Sequence, residues 1–224
     1  PLALMDDQEA EAVLHAYQER YRILKEDECT QYVSIFHNHG RLAGATIAHP
    51  HSQIIAIPVV PPDISRSLEG SGKYYEVHKK CVHCEVILYE KEKRTRIVYE
   101  NERFIVLTPY ASRSAFELRI FPKAHGAHFE EMNDEDRREC ADALRIALAR
   151  LYHGLRDPDH NFFVHTAPVK DGKNYGHYHW HIEIIPKTAI WSGFEIGTVI
   201  EISIIAPEDA AKVIQDKVGG AHAA

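Results

Sequence analysis

Residues 46–55 read TIAHPHSQII, and residues 177–186 read HYHWHIEIIP. Each run carries a His-x-His pair followed by two isoleucines, and such alternation is typical of a β-strand because every second side chain shares a face. A helix-like stretch precedes each run and opens similarly, with MDDQE at 5–9 and MNDED at 132–136. The offset of about 127–130 residues is too long for a solenoid unit. We therefore predict an α+β fold with a duplicated module, antiparallel sheets and flanking helices; a coincidence of generic helix–strand order is the alternative.

Further elements follow from apolar periodicity and from capping and turn residues. Helices are predicted at 6–25, from Asn133 to about Leu151, and at 207–218. Strands are predicted at 31–36, 47–58, 95–99, 103–108, 115–121, 161–167, 178–185 and 194–204. Pro61 to Lys73 contains Pro, Ser and Gly and is predicted to be a linker. Because the chain opens with Pro1 and runs straight into a helix, we expect residues 1–60 to be the C-terminal part of a first repeat that lacks its front. Residues 61–80 then form the linker and 81–224 the second repeat.

The composition is that of an ordinary globular protein, with 45% apolar and 26% charged residues in a chain of 224. The formal net charge of −7 counts against a protein whose main task is to grip the nucleic-acid backbone. No apolar run approaches the roughly 20 residues that span a bilayer, and the mean hydropathy is −0.34. Nothing resembles a secretory leader, so we expect a cytoplasmic protein that binds neither nucleic acid nor membrane. Histidine is unusually frequent, at 16 residues against 12 glycines, which indicates metal binding or group transfer.

A metal site is predicted from the Cys-x-x-Cys at Cys81 and Cys84, because two thiolates in a tight knuckle can face one ion and zinc usually takes two further ligands. Histidines at strand ends or on a later strand offer these: His125, His177, His179 and His181. A thioredoxin-like redox pair, which normally opens a helix, and two unrelated core cysteines are the alternatives. Cys29 and Cys140 have no partner in the sequence, and we expect both to be buried and inert.

The HPHSQ segment is predicted to carry group-transfer chemistry. On a strand, His49, His51 and Gln53 would face one way, with Pro50 at an edge or a bulged start because it cannot donate to a ladder. The preceding loop offers flexible backbone N–H groups, an amide and a hydroxyl, which suit a phosphate: Asn38, Gly40, Gly44 and Thr46. A structural or metal-binding role for these histidines is the alternative.

These residues resemble the active-site signature of the galactose-1-phosphate uridylyltransferase family, a branch of the histidine-triad superfamily. The Cys-x-x-Cys, the Pro-Lys-Ala-His segment ending at His125 and the GFEIG segment at 193–197 also resemble that family. The similarity covers nearly the whole chain and looks closest to the branch with zinc in both halves, which includes nucleotide-sugar phosphorylases. The resemblance implies that the duplicated module is histidine-triad-like.

Carried over residue by residue, the resemblance implies that His51 is the catalytic nucleophile and that Gln53 hydrogen-bonds the transferred phosphoryl group. His49 would be a ligand of an N-terminal zinc whose other ligands lie before Pro1. Substrate-binding positions are implied in the phosphate loop and the GFEIG segment: Asn38, Gly44, Thr46, Phe194 and Glu195. Members of the family are homodimers with sites shared across the interface, so the resemblance implies a homodimer here.

The two His-x-His runs can be aligned in two registers, which differ in the histidine that ligates the metal in the second half. Alignment on the proline that ends each run places His49 opposite His177. Alignment on the shared Gln/Glu-Ile-Ile motif places His49 opposite His179. The family pattern of His-Trp before Ile-Ile-Pro fits the second register, with His177 as the alternative. The resemblance therefore implies one structural zinc with four ligands: Cys81, Cys84, His125 and His179.

The implied function is a nucleotidyltransferase that moves a nucleoside monophosphate from a nucleotide sugar to a hexose-1-phosphate through a nucleotidyl-histidine. A neighbouring backbone carbonyl should hold the other ring nitrogen of His51 and set its tautomer. A phosphorylase that uses inorganic phosphate and a non-catalytic zinc-binding module are the alternatives. A histidine-triad hydrolase is disfavoured, because such enzymes usually carry a histidine where Gln53 stands. The choice of base, uridine or adenosine, is left open because that pocket would lie in the missing front.

Overall fold

The computed structural model describes residues 1–169, 174–190 and 192–215. Its helices are α1 (Asp7–Leu24), α2 (Pro62–His78), α3 (Val82–Lys93), α4 (Asp134–Leu155), α5 (Gly193–Thr198) and α6 (Pro207–Gln215). Its strands are β1 (Tyr32–His39), β2 (Ser52–Ile57), β3 (Ile97–Glu100), β4 (Phe104–Leu107), β5 (Leu118–Pro122), β6 (His160–His165) and β7 (His181–Pro186). The predicted α+β fold is confirmed. Within the described ranges, no helix combines the length and the apolar character that a membrane crossing requires.

The seven described strands form one antiparallel sheet, in the order β2-β1-β6-β7-β5-β4-β3. Strands β1 and β2 come from the first predicted repeat and the other five from the second. The two sets join where β1 pairs with β6, with Phe36 opposite Phe163 and Asn38 opposite Asn161. The loop that follows β1 and contains Gly40 and Gly44, the glycine loop, therefore lies beside residues of the second predicted repeat.

Helices α1 and α4 pack against each other and against the sheet. The main core lies between them and the sheet, where apolar side chains from all three are fully buried: Leu14, Tyr21, Ile35, Leu144, Leu148 and Phe162. Burying such side chains contributes about 1.5–3 kcal/mol each relative to exposure. This packing explains why the apolar stripes of α1 and α4 were readable from the sequence.

Both long helices begin with a capping box, as their similar opening sequences predict. The Asp6 carboxylate accepts from the Glu9 amide at 2.8 Å, and the Glu9 side chain accepts from the Asp6 amide at 3.0 Å. Asn133 and Asp136 repeat the arrangement at the start of α4. Such caps satisfy backbone N–H groups that have no partner within the helix, so the two starts are equivalent in structure as well as in sequence.

The Pro, Ser and Gly residues of Pro61 to Lys73, which predict a linker, do not form a loop, because this stretch lies almost entirely in α2. Pro62 stands at the first helical position, where its missing N–H costs nothing and its fixed φ favours the helix. Ile64 and Leu68 are buried one turn apart, and Lys79 ends the helix in the left-handed conformation. Proline here marks a helix start rather than a loop. The division into 1–60, 61–80 and 81–224 stays a prediction.

The strand predicted at 194–204 is also wrong. Residues 193–198 form α5, whose start is fixed by a capping box between Ser192 and Glu195, and the residues from 199 to 206 form no regular element. The β-branched side chains of this run find no neighbouring strand in the described sheet, so β propensity alone does not form a strand there. The last helix is confirmed as α6, whereas 216–218 lie outside the described residues.

Both His-x-His runs lie ahead of their strands, which corrects the prediction of strands from 47 and 178. Strand β2 starts only at Ser52 and β7 only at His181. Pro50 has no N–H for a ladder, and the Trp180 amide donates to the carbonyl of Gly126 at 2.9 Å rather than within the sheet. The histidines of both runs therefore stand at the ends of strands, where side chains from several elements can converge.

Candidate functional site

His51 is half-buried at the entry to β2, and its ring is held by the backbone. Its Nδ1 lies 3.0 Å from the carbonyl oxygen of His49. A carbonyl only accepts, so Nδ1 carries the hydrogen and Nε2 keeps its lone pair in the neutral ring. The carbonyl contact predicted from the sequence is present, and it leaves the lone pair of the neutral ring on Nε2.

His181 repeats this geometry in the second half. Its Nδ1 lies 3.1 Å from the carbonyl oxygen of His179, as that of His51 does from His49. The equivalent pairs are therefore His51 with His181 and His49 with His179. The structure supports the register chosen from the sequence over the one that places His177 at the metal.

The loop after β1 is shaped by two glycines in the left-handed region, Gly40 at φ +80° and Gly44 at φ +88°. The Ala45 amide donates to the Gly40 carbonyl at 3.0 Å, which closes the loop. A Cβ on Gly40 would lie 2.0 Å from a carboxylate oxygen of Asp159, so only glycine fits there. The loop borders an open cavity of about 890 Å³, within the range of small-ligand sites.

The structure brings some of the predicted site residues together around this cavity. Its lining includes four of them: Asn38, Gly44, Thr46 and His49. His51 borders an adjacent, mostly apolar cavity of about 300 Å³ that shares Pro50 with the first. Gln53 lines neither cavity. Phe194 and Glu195 lie on α5 and border neither one, and the Glu195 carboxylate accepts from the backbone amide of Ser192 at 3.0 Å.

Sequence reasoning missed a hydrogen-bond chain behind the His51 segment. Ser52 Oγ contacts the Tyr17 hydroxyl and lies 3.1 Å from His37 Nδ1. The His37 ring also hydrogen-bonds the His51 backbone and stacks on Phe162 at 5.1 Å between centroids. Burial, with neighbouring imidazoles, lowers the pKa of His37 to about 4. The signal in the sequence was a histidine in alternation with Val33 and Ile35 on an apolar face.

His37 predicts a specific dependence of stability on acid. Its pKa in the folded protein, about 4, lies below the unfolded value near 6.5, so the unfolded state takes up the proton first. The free energy of unfolding should therefore fall as the pH drops from 6.5 to 4, and this contribution should level off below pH 4. We expect His37→Gln to remove part of that fall, on the order of 2 kcal/mol, in urea titrations across this range. The exposed His78→Gln is the matched control and should follow the wild-type profile; a His37→Gln profile parallel to the wild type would contradict the prediction.

Cys81, Cys84, His125 and His179 converge into a group with metal-site dimensions. Their ligand atoms all lie within 4.8 Å of one another. Cys84 Sγ lies 3.5 Å from Nδ1 of both histidines, and Cys81 Sγ lies 3.8 Å from Nδ1 of His179. Zinc–sulfur and zinc–nitrogen bond lengths place S and N about 3.6 Å apart around a tetrahedral ion. These three distances are close to what a tetrahedral metal ion requires, so the four side chains have the arrangement of a metal site.

The hydrogen bonds of the two histidines in this group also favour metal binding. His125 Nε2 lies 2.9 Å from the Gly176 carbonyl, and His179 Nε2 lies 2.9 Å from the Pro122 carbonyl. Each Nε2 thus carries the hydrogen and each Nδ1 offers a lone pair, as in carbonyl-supported metal ligands. Burial and the neighbouring Cys81 raise the pKa of the Cys84 thiol to about 12, so a bound cation is needed to hold it as a thiolate.

Cys81 is the N-cap of α3, so the Cys-x-x-Cys pair opens a helix, as a redox pair normally does. Helix α2 rather than a strand precedes it, and His125 and His179 complete the group. One expectation about cysteine is wrong. Cys29 is exposed, whereas Cys140 is buried as predicted. Cys29 follows Asp27 in a turn after α1, where its amide donates to the Asp27 carboxylate, and its position after the last helical turn keeps it out of the core.

A second convergent group went unrecognised in the sequence: His165, His181 and Glu183. Glu183 stands where Gln53 stands in the first half. Burial alone would raise the pKa of Glu183, but His165 and the Arg119 guanidinium lower it to about 2. An ionised carboxylate repels phosphate, whereas an amide donates to it. The second half therefore keeps the strand geometry but has a carboxylate where the first half has the Gln53 amide.

The fold and the site together define a class of α+β protein with two similar halves in one antiparallel sheet. It carries a backbone-held histidine beside a glycine loop, and a Cys₂His₂ group in the second half. A family model described as a domain of unknown function (DUF4921) matches residues 4–222. The chain belongs to this family, within the galactose-1-phosphate uridylyltransferase-like proteins, and the resemblance stated from the sequence is confirmed.

Two curated relatives and one solved structure illustrate the similarity. An ADP-glucose phosphorylase of Arabidopsis thaliana is 35% identical over 205 residues, which are 91% of this chain and 57% of that protein. A galactose-1-phosphate uridylyltransferase of Thermotoga maritima is 32% identical over 214 residues, 92% of this chain and 66% of that protein. The structure of an Arabidopsis thaliana ADP-glucose phosphorylase with bound ADP-glucose aligns at a TM-score of 0.88, with 34% identity, over 96% of this chain and 68% of that one. The chain thus spans about three fifths of the length of these curated relatives.

Proposed function

We propose that this protein transfers a nucleoside monophosphate between a nucleotide sugar and a phosphate-bearing acceptor, with His51 as the covalent carrier. The observation that carries the proposal is the His51 Nδ1 contact with the His49 carbonyl, which in the neutral ring places the lone pair on Nε2. The glycine loop supports it, because its backbone amides and the Asn38 and Thr46 side chains border a cavity of suitable size.

In the first step, His51 Nε2 attacks the α-phosphorus in line, a P–N bond forms, and the P–O bond to the sugar-1-phosphate breaks. In the second step, an oxygen of the acceptor phosphate attacks the same phosphorus and the P–N bond breaks. No proton must be added to either leaving group, because the sugar-1-phosphate leaves as an anion and the histidine returns neutral. Gln53 donates its amide hydrogens to the phosphoryl oxygens, and it has no titratable proton to lose.

The acceptor we propose first is a hexose-1-phosphate, as in a uridylyltransferase. Inorganic phosphate is the second candidate, and the 35% identity to an ADP-glucose phosphorylase favours it. Both acceptors are phosphate monoanions or dianions that would meet the nucleotidyl-histidine at the same loop. The chemistry at His51 is therefore the same for both, and the difference lies in what occupies the sugar position.

We also propose that Cys81, Cys84, His125 and His179 hold a structural zinc. Thiolate with imidazole is the ligand set that zinc prefers, and four protein ligands leave no open position for substrate. The ion would then hold the start of α3 against the ends of β5 and β7 and take no part in the transfer. We also propose His49 as a ligand of a further zinc. In this structure its Nδ1 contacts the Pro50 carbonyl.

A homodimer is the proposed assembly. The segment around α5 exposes at least half of each of several large apolar side chains: Ile190, Phe194, Ile196, Val199, Ile200 and Ile204. Large apolar side chains that are exposed close together in the chain are typical of an interaction surface. A second copy that covers it could also place Phe194 and Glu195 at the sugar end of its partner's site.

The test is a matrix of two donors and two acceptors. UDP-glucose and ADP-glucose are each incubated with galactose-1-phosphate or inorganic phosphate, and product nucleotide sugar or nucleoside diphosphate is measured. Turnover with either acceptor, together with nucleotidyl–protein formation when the acceptor is left out, is the expected result. Stoichiometric zinc without labelling by either donor would instead identify a non-catalytic zinc-binding module.

A further inference from the structure

Asn161, a residue of the second half, lies directly opposite Asn38 across the β1–β6 ladder. Its Nδ2 lies 2.8 Å from the side-chain Oδ1 of Asn38 and 2.8 Å from the backbone carbonyl of Ala43. Both hydrogens of the Asn161 amide are thus used, one on a side chain of β1 and one on the glycine loop.

The carbonyl of Ala43 fixes the orientation of both amides. A backbone carbonyl only accepts, so the Asn161 atom that faces it must be the nitrogen. The Asn38 atom that faces the same nitrogen must then be its oxygen. The NH₂ group of Asn38 consequently points away from Asn161 and toward the loop, where a Cβ on Gly44 would lie 3.9 Å from it.

The connection between α4 and β6, just before Asn161, contacts the same region at two more points. Asp159 accepts from the Leu42 amide of the loop at 2.5 Å, and Asp157 lies 2.8 Å from Nε2 of His39 at the end of β1. The end of β1 and its loop therefore contact polar side chains at three alternate positions of the second half: Asp157, Asp159 and Asn161.

We propose that Asn161 is a positioning residue that selects which end of the Asn38 amide faces the phosphate. An amide turned the other way would present its oxygen to an anion, which repels it, whereas the NH₂ group donates to it. This role rests on the proposed function for the presence of a phosphate at the loop. Asn161 itself does not border the cavity, so it acts through Asn38.

A double-mutant cycle on ligand affinity tests the role. All proteins carry His51→Asn to prevent turnover, and the dissociation constants of UDP-glucose and ADP-glucose are measured by calorimetry. We expect Asn161→Ala to weaken binding about tenfold, the equivalent of one hydrogen bond. In the Asn38→Ala background, Asn161→Ala should weaken binding by less than about twofold, because the amide it orients is absent. Asn161→Asp, which has the same shape but only accepts, should bind no better than Asn161→Ala.

Asn133→Ala is the matched control, since it removes an asparagine that caps α4 and should lower the urea midpoint of unfolding while leaving affinity unchanged. Equal losses from Asn161→Ala with and without Asn38 would overturn the inference, because Asn161 would then act on the loop alone. Wild-type affinity in Asn161→Asp would overturn it as well. If the two asparagines are coupled but the wild-type protein with His51 intact transfers no nucleotidyl group, the inference stands and the proposed function is rejected.

Discussion

Replacing His51 with asparagine is expected to lower nucleotidyl transfer by at least about 10⁴-fold, because a covalent route has no substitute for its nucleophile. Asparagine keeps a polar side chain of similar size at the entry to β2, where the ring is only half-buried. The fold should therefore be unchanged by circular dichroism and thermal melting. Radiolabelled nucleotide sugar should label the wild-type protein on one histidine, through a bond that is labile in acid and stable in base, as phosphoramidates are.

His181→Asn is the informative counterpart, since His181 has the same carbonyl contact in the second half. It is buried beside the ion-paired Glu183, so this substitution should cost stability but leave labelling per folded molecule unchanged. Label that survives in His51→Asn and vanishes in His181→Asn would move the reacting site to the second half.

Cys81→Ser is expected to abolish zinc binding and to destabilise the protein by more than about 3 kcal/mol. Structural zinc contributes directly to folding free energy, with apparent values of about 10–16 kcal/mol in small zinc domains at neutral pH. The wild-type protein should carry about one zinc per chain at this group, since four ligands close one tetrahedral site. Elemental analysis and the unfolding midpoint in urea measure the two effects.

Cys29→Ser provides the matched control, because Cys29 is an exposed free cysteine outside the group. It should keep both zinc content and stability. Full zinc content in Cys81→Ser would refute the ligand assignment, and loss of zinc with an unchanged unfolding midpoint would refute the structural role.

The sequence predicted those features that depend on short-range pattern. Asp6 and Asn133 cap α1 and α4 where the MDDQE and MNDED openings indicate, because capping needs only residues three apart. The register between the two halves was also readable, since His51 and His181 each precede a Gln/Glu-Ile-Ile strand. The shared carbonyl contact then follows from the same local backbone.

The features it did not predict depend on long-range contacts. The sequence of α2 predicts a linker, because a proline in the first turn of a helix gives the same signal as a proline in a loop. The burial of Ile64 and Leu68 against other elements distinguishes the helix from the loop. The roles of His37 and Asn161 are set by partners more than a hundred residues away, Phe162 for the first and Asn38 for the second. No spacing rule reaches across such a distance.

Strand β6 couples the two halves of the sheet. It carries Asn161 beside the glycine loop at one end and His165 opposite His181 at the other, and it lies between β1 and β7 in the sheet. A substitution that loosens the cysteine–histidine group would disturb β7 and, through β6, the glycine loop. In a screen of random variants scored by turnover, inactivating changes would thus map to both halves alike, and neither half could diverge in evolution without compensation in the other.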